Sequence, residues 1–346
     1  MHRFLAALLV LTSVLPHPVR ATDRIKVGLS LADVDERWAH ERDALTSLLQ
    51  AEGFDVAVQV AGFDPNAQNG HIRALAAQGA KVIVVVPEDG TAAAKAVEEV
   101  AAAGVKVIAY DRLVDSPKLA AYVSFDNLEV GRSQARGVLA ARGSGNFVLL
   151  GGSPTDNNAR QFRAGQMQVL SPLIQSGKIK VVADRWVDYW DGPIARRVME
   201  EIIRASGAGI DAVVASNDGT ALGALEAMRS AGLVGKVPIS GQDASEQGCN
   251  SIARGELTVT ILKDTRKLVP LVATLAARLA RGSGDLGLVP VKLADLTGAQ
   301  GRTGMVPCKF LPVELVTRDN LKELVVDSGF QSYDAVYRDV PSPPAR

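Results

Sequence analysis

From Ile25 onward the chain alternates short, continuous runs of Val, Ile and Leu with helical stretches rich in Ala, Glu and Arg. Runs that are apolar at every position, not every second one, fit strands covered on both faces, as in a parallel sheet. Strands alternating with helices build βαβ units, so the chain reads as α/β with parallel sheets flanked by helices. The periodicity predicts strands over 25–31, 54–61, 81–87, 106–110, 122–125, 146–150, 178–183, 211–215, 237–240 and 257–262. Helices are predicted over 38–52, 66–79, 91–103, 127–142, 158–171, 192–206, 218–231, 245–254 and 265–281. Gly53, Gly79, Gly104 and Gly232 fall just after such helices, where a left-handed residue commonly ends them.

At 346 residues the chain exceeds a typical single core, so two domains are expected. The repeat restarts near residue 127, which predicts two similar lobes with a cleft between them. The boundaries expected are 24–126 plus 263–304 for an N-terminal lobe and 127–260 plus 305–335 for a C-terminal lobe. Segments 111–127, 257–264 and 304–308 are expected to form a multi-strand hinge. The Pro-rich end, 336–346, reads as a flexible tail. At the other end Met1-His2-Arg3 is basic, Phe4 to Leu15 is apolar, and Val19-Arg20-Ala21 offers small residues for cleavage. That layout is a secretory signal peptide over about 1–21, its apolar run too short to span a bilayer.

Five of the predicted strands stop on polar residues. Lys106–Tyr110 runs into Asp111-Arg112, Phe147–Leu150 into Gly151-Gly152-Ser153 and on to Asn157-Asn158, and Ala212–Ala215 into Ser216-Asn217-Asp218. Val237–Ser240 runs into Gly241-Gln242-Asp243, and Val259–Leu262 into Lys263-Asp264. Ligands of open α/β sheets sit beyond the carboxyl ends of the strands, so these endings point to one shared site.

Composition narrows what that site holds. Thirty-eight basic and 38 acidic residues cancel, with no long block of either sign, which argues against nucleic acid or an anionic membrane as partner. No GxGxxG follows the first strand, and no phosphate loop, HExxH helix or GxSxG elbow is present. In Gly151-Gly152-Ser153-Pro154 the proline removes the backbone N–H that an oxyanion hole would use. Two Cys (Cys249 and Cys308) and two His after the signal, all far apart, make no plausible zinc site, so no metal or cofactor is expected. An oxidising compartment would permit a disulfide, and two buried thiols fit equally well.

The remaining polar set suits a neutral polyol. Asp111 and Asp243 are acceptors, Arg37, Arg112, Arg163 and Lys263 are donors, and Asn158 and Asn217 do both, as a hydroxyl does. Trp38, Phe162 and Trp190 offer flat faces to the C–H side of a sugar ring. Each has a plainer reading: Arg37 and Arg163 as exposed helix residues, Trp38 as core, Asp218 as a helix cap, Asp111-Arg112 as a mutual pair. A glycosidase using Asp111 and Asp243 is the enzymatic alternative, which the surrounding cations disfavour because they keep both acids ionised. A sugar-responsive transcription regulator is a further alternative, one that would need a DNA-binding segment where residues 1–24 read as an export signal.

The segments Asp35-Glu36-Arg37-Trp38, Ala109-Tyr110-Asp111-Arg112 and Val123-Ser124-Phe125-Asp126-Asn127 resemble those of the periplasmic D-xylose-binding proteins. So do Gly151 to Ala159, Phe162 to Met167, Ala215 to Asp218 and Ile239 to Asp243, in order along nearly the whole chain from Ile25 to Gly329. The resemblance implies a type I, two-lobed periplasmic binding protein that delivers sugar to an ABC transporter permease in the inner membrane. It implies no catalysis, and a monomer binding D-xylose or a similar monosaccharide such as ribose, arabinose or glucose. Carried over residue by residue, it gives Arg37, Asp111, Arg112, Asn158, Arg163, Asn217, Asp243 and Lys263 as polar contacts, with Trp190 as a wall and Trp38 and Phe162 nearby. Tyr189 stands where this family commonly has a small residue, and Leu262 where an aromatic is familiar.

Overall fold

Asp64, Asp89, Asp126, Asp156 and Asp264 each stand one residue before a helix, and each side chain accepts a backbone N–H from the first turn. Such a cap satisfies donors that the helix itself cannot, typically worth about 1 kcal/mol. These aspartates are why the helices begin where they do, directly beyond the strand ends. The computed structural model describes residues 24–33, 36–206, 209–283 and 286–345. The export signal expected at 1–21 lies outside the described residues.

In chain order the elements are β1 (Lys26–Leu31), α1 (Glu36–Ala51), β2 (Asp55–Val60), α2 (Pro65–Ala77), β3 (Ala80–Val86), α3 (Gly90–Ala102), β4 (Lys106–Tyr110) and β5 (Ala121–Phe125). Next come α4 (Asn127–Ala141), β6 (Gly145–Gly151), α5 (Asn157–Gln175), β7 (Ile179–Trp186), α6 (Gly192–Ser206), β8 (Ala212–Ala215), α7 (Asp218–Ser230), α8 (Glu246–Ala253) and β9 (Thr260–Leu262). The chain closes with α9 (Thr265–Ala280), β10 (Val289–Lys292), α10 (Leu293–Thr297), β11 (Met305–Leu311), β12 (Glu314–Val316) and α11 (Tyr333–Val336).

The first sheet has seven strands in the order β10-β11-β5-β4-β3-β1-β2, parallel except for the β10–β11 pair. Its inner strands β1, β3, β4 and β5 are mostly apolar because both faces are covered. Val82, Val84 and Val86 of β3 pack with the α1 and α9 side chains Leu45, Leu49 and Leu268, while Ile83 and Val85 pack against Ile72 and Val97 of α2 and α3. Each such side chain contributes about 1.5–3 kcal/mol by burial. The second sheet is β7-β6-β8, all parallel. Single bridges Val213↔Ile239 and Ser240↔Val259 carry the pairing through 237–240 to the antiparallel pair β9–β12. Here too the residues of one strand alternate between cores: Val148 and Leu150 on one face, Phe147 and Leu149 on the other.

The chain passes between the sheets three times: from β5 into α4, from β9 into α9, and from β11 into β12. The last crossing therefore falls at Pro312-Val313, beyond the expected 304–308. The segment 305–311, expected in the C-terminal lobe, pairs with β5 as β11 and lies in the first sheet. Pro307 faces Pro290 across the β10–β11 register, and two residues without N–H groups gave this strand no legible pattern. The end of the chain is docked as well. Val336 and Val340 join the second sheet's core, and Asn250 Nδ2 donates to the carbonyls of Val336 and Arg338. Both cysteines are free, Cys249 in that core and Cys308 in a core of the first sheet, so no disulfide joins them.

Candidate functional site

The carboxyl ends of both sheets face one cavity of about 630 Å3. Asp111, directly after β4, is its anchor. Its backbone is left-handed (φ 59°) and held on several sides. The N–H donates to the Val123 carbonyl at 2.8 Å, and its own carbonyl accepts from Ser124 Oγ at 2.7 Å and Tyr122 Oη at 3.2 Å. The carboxylate, 2% exposed, receives Arg37 Nη2 at 2.8 Å, Lys263 Nζ at 3.0 Å and Asn158 Nδ2 at 2.9 Å. Burial opposes its ionisation, but Lys263 and Arg37 outweigh that and hold the carboxyl well below the usual range.

Arg37, in the first turn of α1, spans the cleft. Its Nη2 meets Asp111 of the first sheet, its Nη1 meets Asp243 of the second at 3.0 Å, and its Nε donates to Glu41 at 2.6 Å. Glu41 also accepts the Tyr110 hydroxyl. Burial is the main reason the Glu41 carboxyl is pushed up to about 7, against the opposing pull of Arg37. Arg112 reaches the other way: its Nε lies 3.0 Å from Asp156, the cap of α5, which also accepts Trp190 Nε1 at 3.2 Å.

Asp243 too has a positive φ, 106°, fixed by its N–H donating to Ile261 at 2.9 Å. Beneath it lies Asp218, which accepts from Ser245 N, Ser245 Oγ and Thr260 Oγ1 at 2.7–2.9 Å. Burial first, then the nearby Asp243, pushes the Asp218 carboxyl up to about 7. Asn217, not Asp218, caps α7: its Oδ1 accepts from Thr220 N, which leaves the amide NH2 for the cavity. Lys263 is 2% exposed, with Nζ 5.2 Å and 5.8 Å from the ring centres of Phe125 and Phe162.

Phe162 and Trp190 form an apolar wall, ring centres 6.0 Å apart at 63°. Gly152, in the turn that resembled a nucleophile elbow, serves this wall. A Cβ at Gly152 would sit inside the Trp190 ring, so only glycine leaves room for the indole against the strand end. Helices α4 and α5 touch just as closely, since a Cβ at Gly165 would collide with the Leu128 carbonyl. A Cβ at Gly131 of α4 would likewise strike the Phe162 carbonyl.

Ten of the eleven residues singled out from sequence line the cavity: Arg37, Trp38, Asp111, Arg112, Asn158, Phe162, Trp190, Asn217, Asp243 and Lys263. Trp38 does so only at an edge, being 4% exposed, packed edge-on against Tyr110 and covered by Arg37 at 4.5 Å. Arg163 is not brought to the cavity. Its Nε donates to Gln166 at 2.9 Å, its Nη1 pairs with Asp184, and it stacks over Trp186. The cause is helical geometry: with Phe162 facing the cavity, the next side chain is turned about 100° away. Tyr189, noted from sequence as a departure from the family pattern, also lines the cavity, whereas sequence reasoning missed Glu41, Asp156 and Phe63. Glu41 was findable as the i+4 partner of Arg37, and Asp156 as the helix cap before Asn157-Asn158; Phe63 carries no sequence signal.

Three cations (Arg37, Arg112 and Lys263) each have a carboxylate at 3.0 Å or less, so the site is charge-compensated and suits a neutral, hydroxyl-rich ligand. Among the described residues no group of three or more His, Cys, Asp or Glu could hold a metal, and no helix is long and apolar enough to cross a membrane.

Comparison with known proteins agrees with that geometry. The family described as periplasmic binding protein domain matches residues 27–284. The D-xylose-binding periplasmic protein of Haemophilus influenzae is 40% identical over 314 residues, 90% of this chain and 92% of that one. Its counterpart in Escherichia coli is 40% identical over 323 residues, 93% and 94% of the two chains. A carbohydrate transporter solute-binding protein from Chloroflexus aurantiacus, solved in complex with D-glucose, superposes with a TM-score of 0.82 at 30% identity, covering 92% and 99%.

Proposed function

The chain belongs to the periplasmic binding protein family, and from that premise we propose that it captures D-xylose in the periplasm and presents it to the permease of an ABC importer. The observation that carries this reading is Arg37 joined at once to Asp111 of one sheet and Asp243 of the other. A ligand that completes such a cross-cleft array binds the closed arrangement better than an open one, and therefore shifts the population towards it. Asp111 and Asp243 are proposed to accept from hydroxyls and Asn158 and Asn217 to bond them through their amides, with Arg37, Arg112 and Lys263 as donors. Phe162 and Trp190 would cover the ring's C–H face.

The likeness to two D-xylose-binding proteins supports the pentose over a hexose. The protein is a transport component and not an enzyme, and the site chemistry is consistent with that. A glycosidic general acid must hold a proton at its working pH, whereas Lys263 and Arg37 keep Asp111 ionised. We further read the receptor as acting as a single chain without nucleic acid, supported by a formal net charge of +0.

Isothermal titration of the mature protein with D-xylose, D-ribose, L-arabinose and D-glucose tests the assignment. D-xylose is expected to bind most tightly. A hexose bound much more tightly would overturn the sugar assigned, and no heat with any of the four would overturn the receptor reading.

A further inference from the structure

Two large aromatic side chains remain exposed at the edge of the cavity: Phe63, 45% exposed, and Tyr189, 53% exposed. Phe63 lies in the turn after β2 of the first sheet, and Tyr189 in the short 3-10 turn, Asp188–Trp190, after β7 of the second. Their rings meet across the cleft, centres 5.6 Å apart at 70°, the edge-to-face arrangement that aromatic pairs prefer. Both backbones are left-handed, φ 64° and 57°, a conformation that bulky residues adopt only at a cost. Two exposed aromatics with left-handed backbones that meet across the cleft are poor candidates for a purely structural role. Separating the sheets would break this contact and wet both rings, while leaving each loop's anchor intact: Phe63 N–H to the Ala32 carbonyl, Trp190 N–H to Val187.

We propose that Phe63 and Tyr189 form an aromatic latch over the cavity mouth, which stabilises the closed form and slows release of the bound sugar. The latch rests on the sugar-receptor reading but adds residues and a kinetic role that the ligand contacts do not require. Because Tyr189 precedes Trp190, the same turn that seats the indole wall also carries the latch. Closing the latch and placing that wall are therefore one motion.

The variants are Phe63→Ala, Tyr189→Gly, their combination and Tyr189→Phe, with D-xylose release followed by stopped-flow tryptophan fluorescence. Each of the first two is expected to speed release about threefold to tenfold, as loss of one edge-to-face pair allows. The double variant should exceed either single variant only slightly, since both break one contact, and Tyr189→Phe should behave as wild type. Unchanged release rates, or fully additive effects, overturn the latch.

A ligand-free measurement separates this idea from the sugar assignment. Spin labels on Lys95→Cys and Arg197→Cys, exposed positions on α3 and α6, report the distance between the two sheets' outer helices. Phe63→Ala or Tyr189→Gly should shift that distribution towards the open form without any sugar. If wild type fails to bind D-xylose yet this shift is seen, the latch stands and the ligand is wrong; no shift overturns the latch.

Discussion

Replacing Asp111 by Asn separates the two tasks of that residue. Asn keeps the shape and accepts φ 59° as readily as Asp does, so the backbone is not strained further. The negative charge is lost. Arg37 retains Glu41 and Asp243, but Lys263, 2% exposed among Phe125 and Phe162, loses the carboxylate 3.0 Å from its Nζ. Removing one partner of a buried pair costs about 3–5 kcal/mol; with one cation stranded rather than two, the lower end applies. At about 2–4 °C per kcal/mol this lowers the melting temperature by roughly 6–12 °C. Hydrogen bonds to a charged acceptor are worth about 1.5–3 kcal/mol, so D-xylose affinity should fall roughly tenfold to a hundredfold. Adding Lys263→Met to Asp111→Asn removes the stranded cation and should recover most of the lost stability but none of the affinity. Urea unfolding and isothermal titration on the three proteins read both quantities. If the double variant is no more stable than Asp111→Asn, the charge-pair reasoning is wrong; if Asp111→Asn binds sugar like wild type, Asp111 does not touch the ligand.

Asn217→Ala removes the α7 cap, costing about 1 kcal/mol of stability, and in titration should weaken sugar binding by tenfold or more; equal affinity would leave Asn217 as a cap alone. The raised carboxyls of Glu41 and Asp218, both near 7, give a sign for pH. The folded state holds their protons more tightly than the unfolded chain does, so their contribution is full below about pH 4 and is lost as pH rises through 7. The urea midpoint should accordingly be higher at pH 5 than at pH 8, with a shallower slope in Glu41→Gln; a midpoint that rises over this range would contradict the assignment. Burial raises the Cys249 thiol well above its ordinary range and pushes Cys308 up to about 12. Neither should react with a thiol reagent until the protein unfolds, whereupon two should, and a reductant should leave the melting temperature unchanged.

Much of this arrangement was legible in the chain. The covered strands showed as unbroken apolar runs, and nine of the helices lie within a few residues of the ranges that periodicity predicts, because caps and left-handed glycines mark their ends. The strand-end polar residues converge as expected, since a parallel sheet brings its carboxyl ends to one edge. What escaped was whatever depends on partners distant in sequence. Strand β11 is half exposed and interrupted by Pro307, so only its pairing with β5 reveals it. The tail from 336 looked unstructured because its composition is Pro-rich, yet Val340 fills a gap in the second core. Arg163 carries the right chemistry on the wrong face of α5. Backbone conformation was invisible too: of eight non-glycine residues with positive φ among those described, five (Phe63, Asp111, Tyr189, Trp190 and Asp243) line the cavity. Strain of this kind gathers at functional sites, but side-chain patterns do not announce it.

The three crossings between the sheets also bear on how the molecule comes into being. Neither core can close from an N-terminal fragment: the first needs Leu268 to Ala277 and then Val306 and Cys308, the second needs Val316, Leu321, Val325, Val336 and Val340. A domain continuous in sequence can fold while the ribosome is still adding later residues. This chain must instead be nearly complete before either half is stable. That delay favours a polypeptide destined to be threaded across a membrane, because it keeps the chain slack until translocation is over and lets both halves assemble together on the far side.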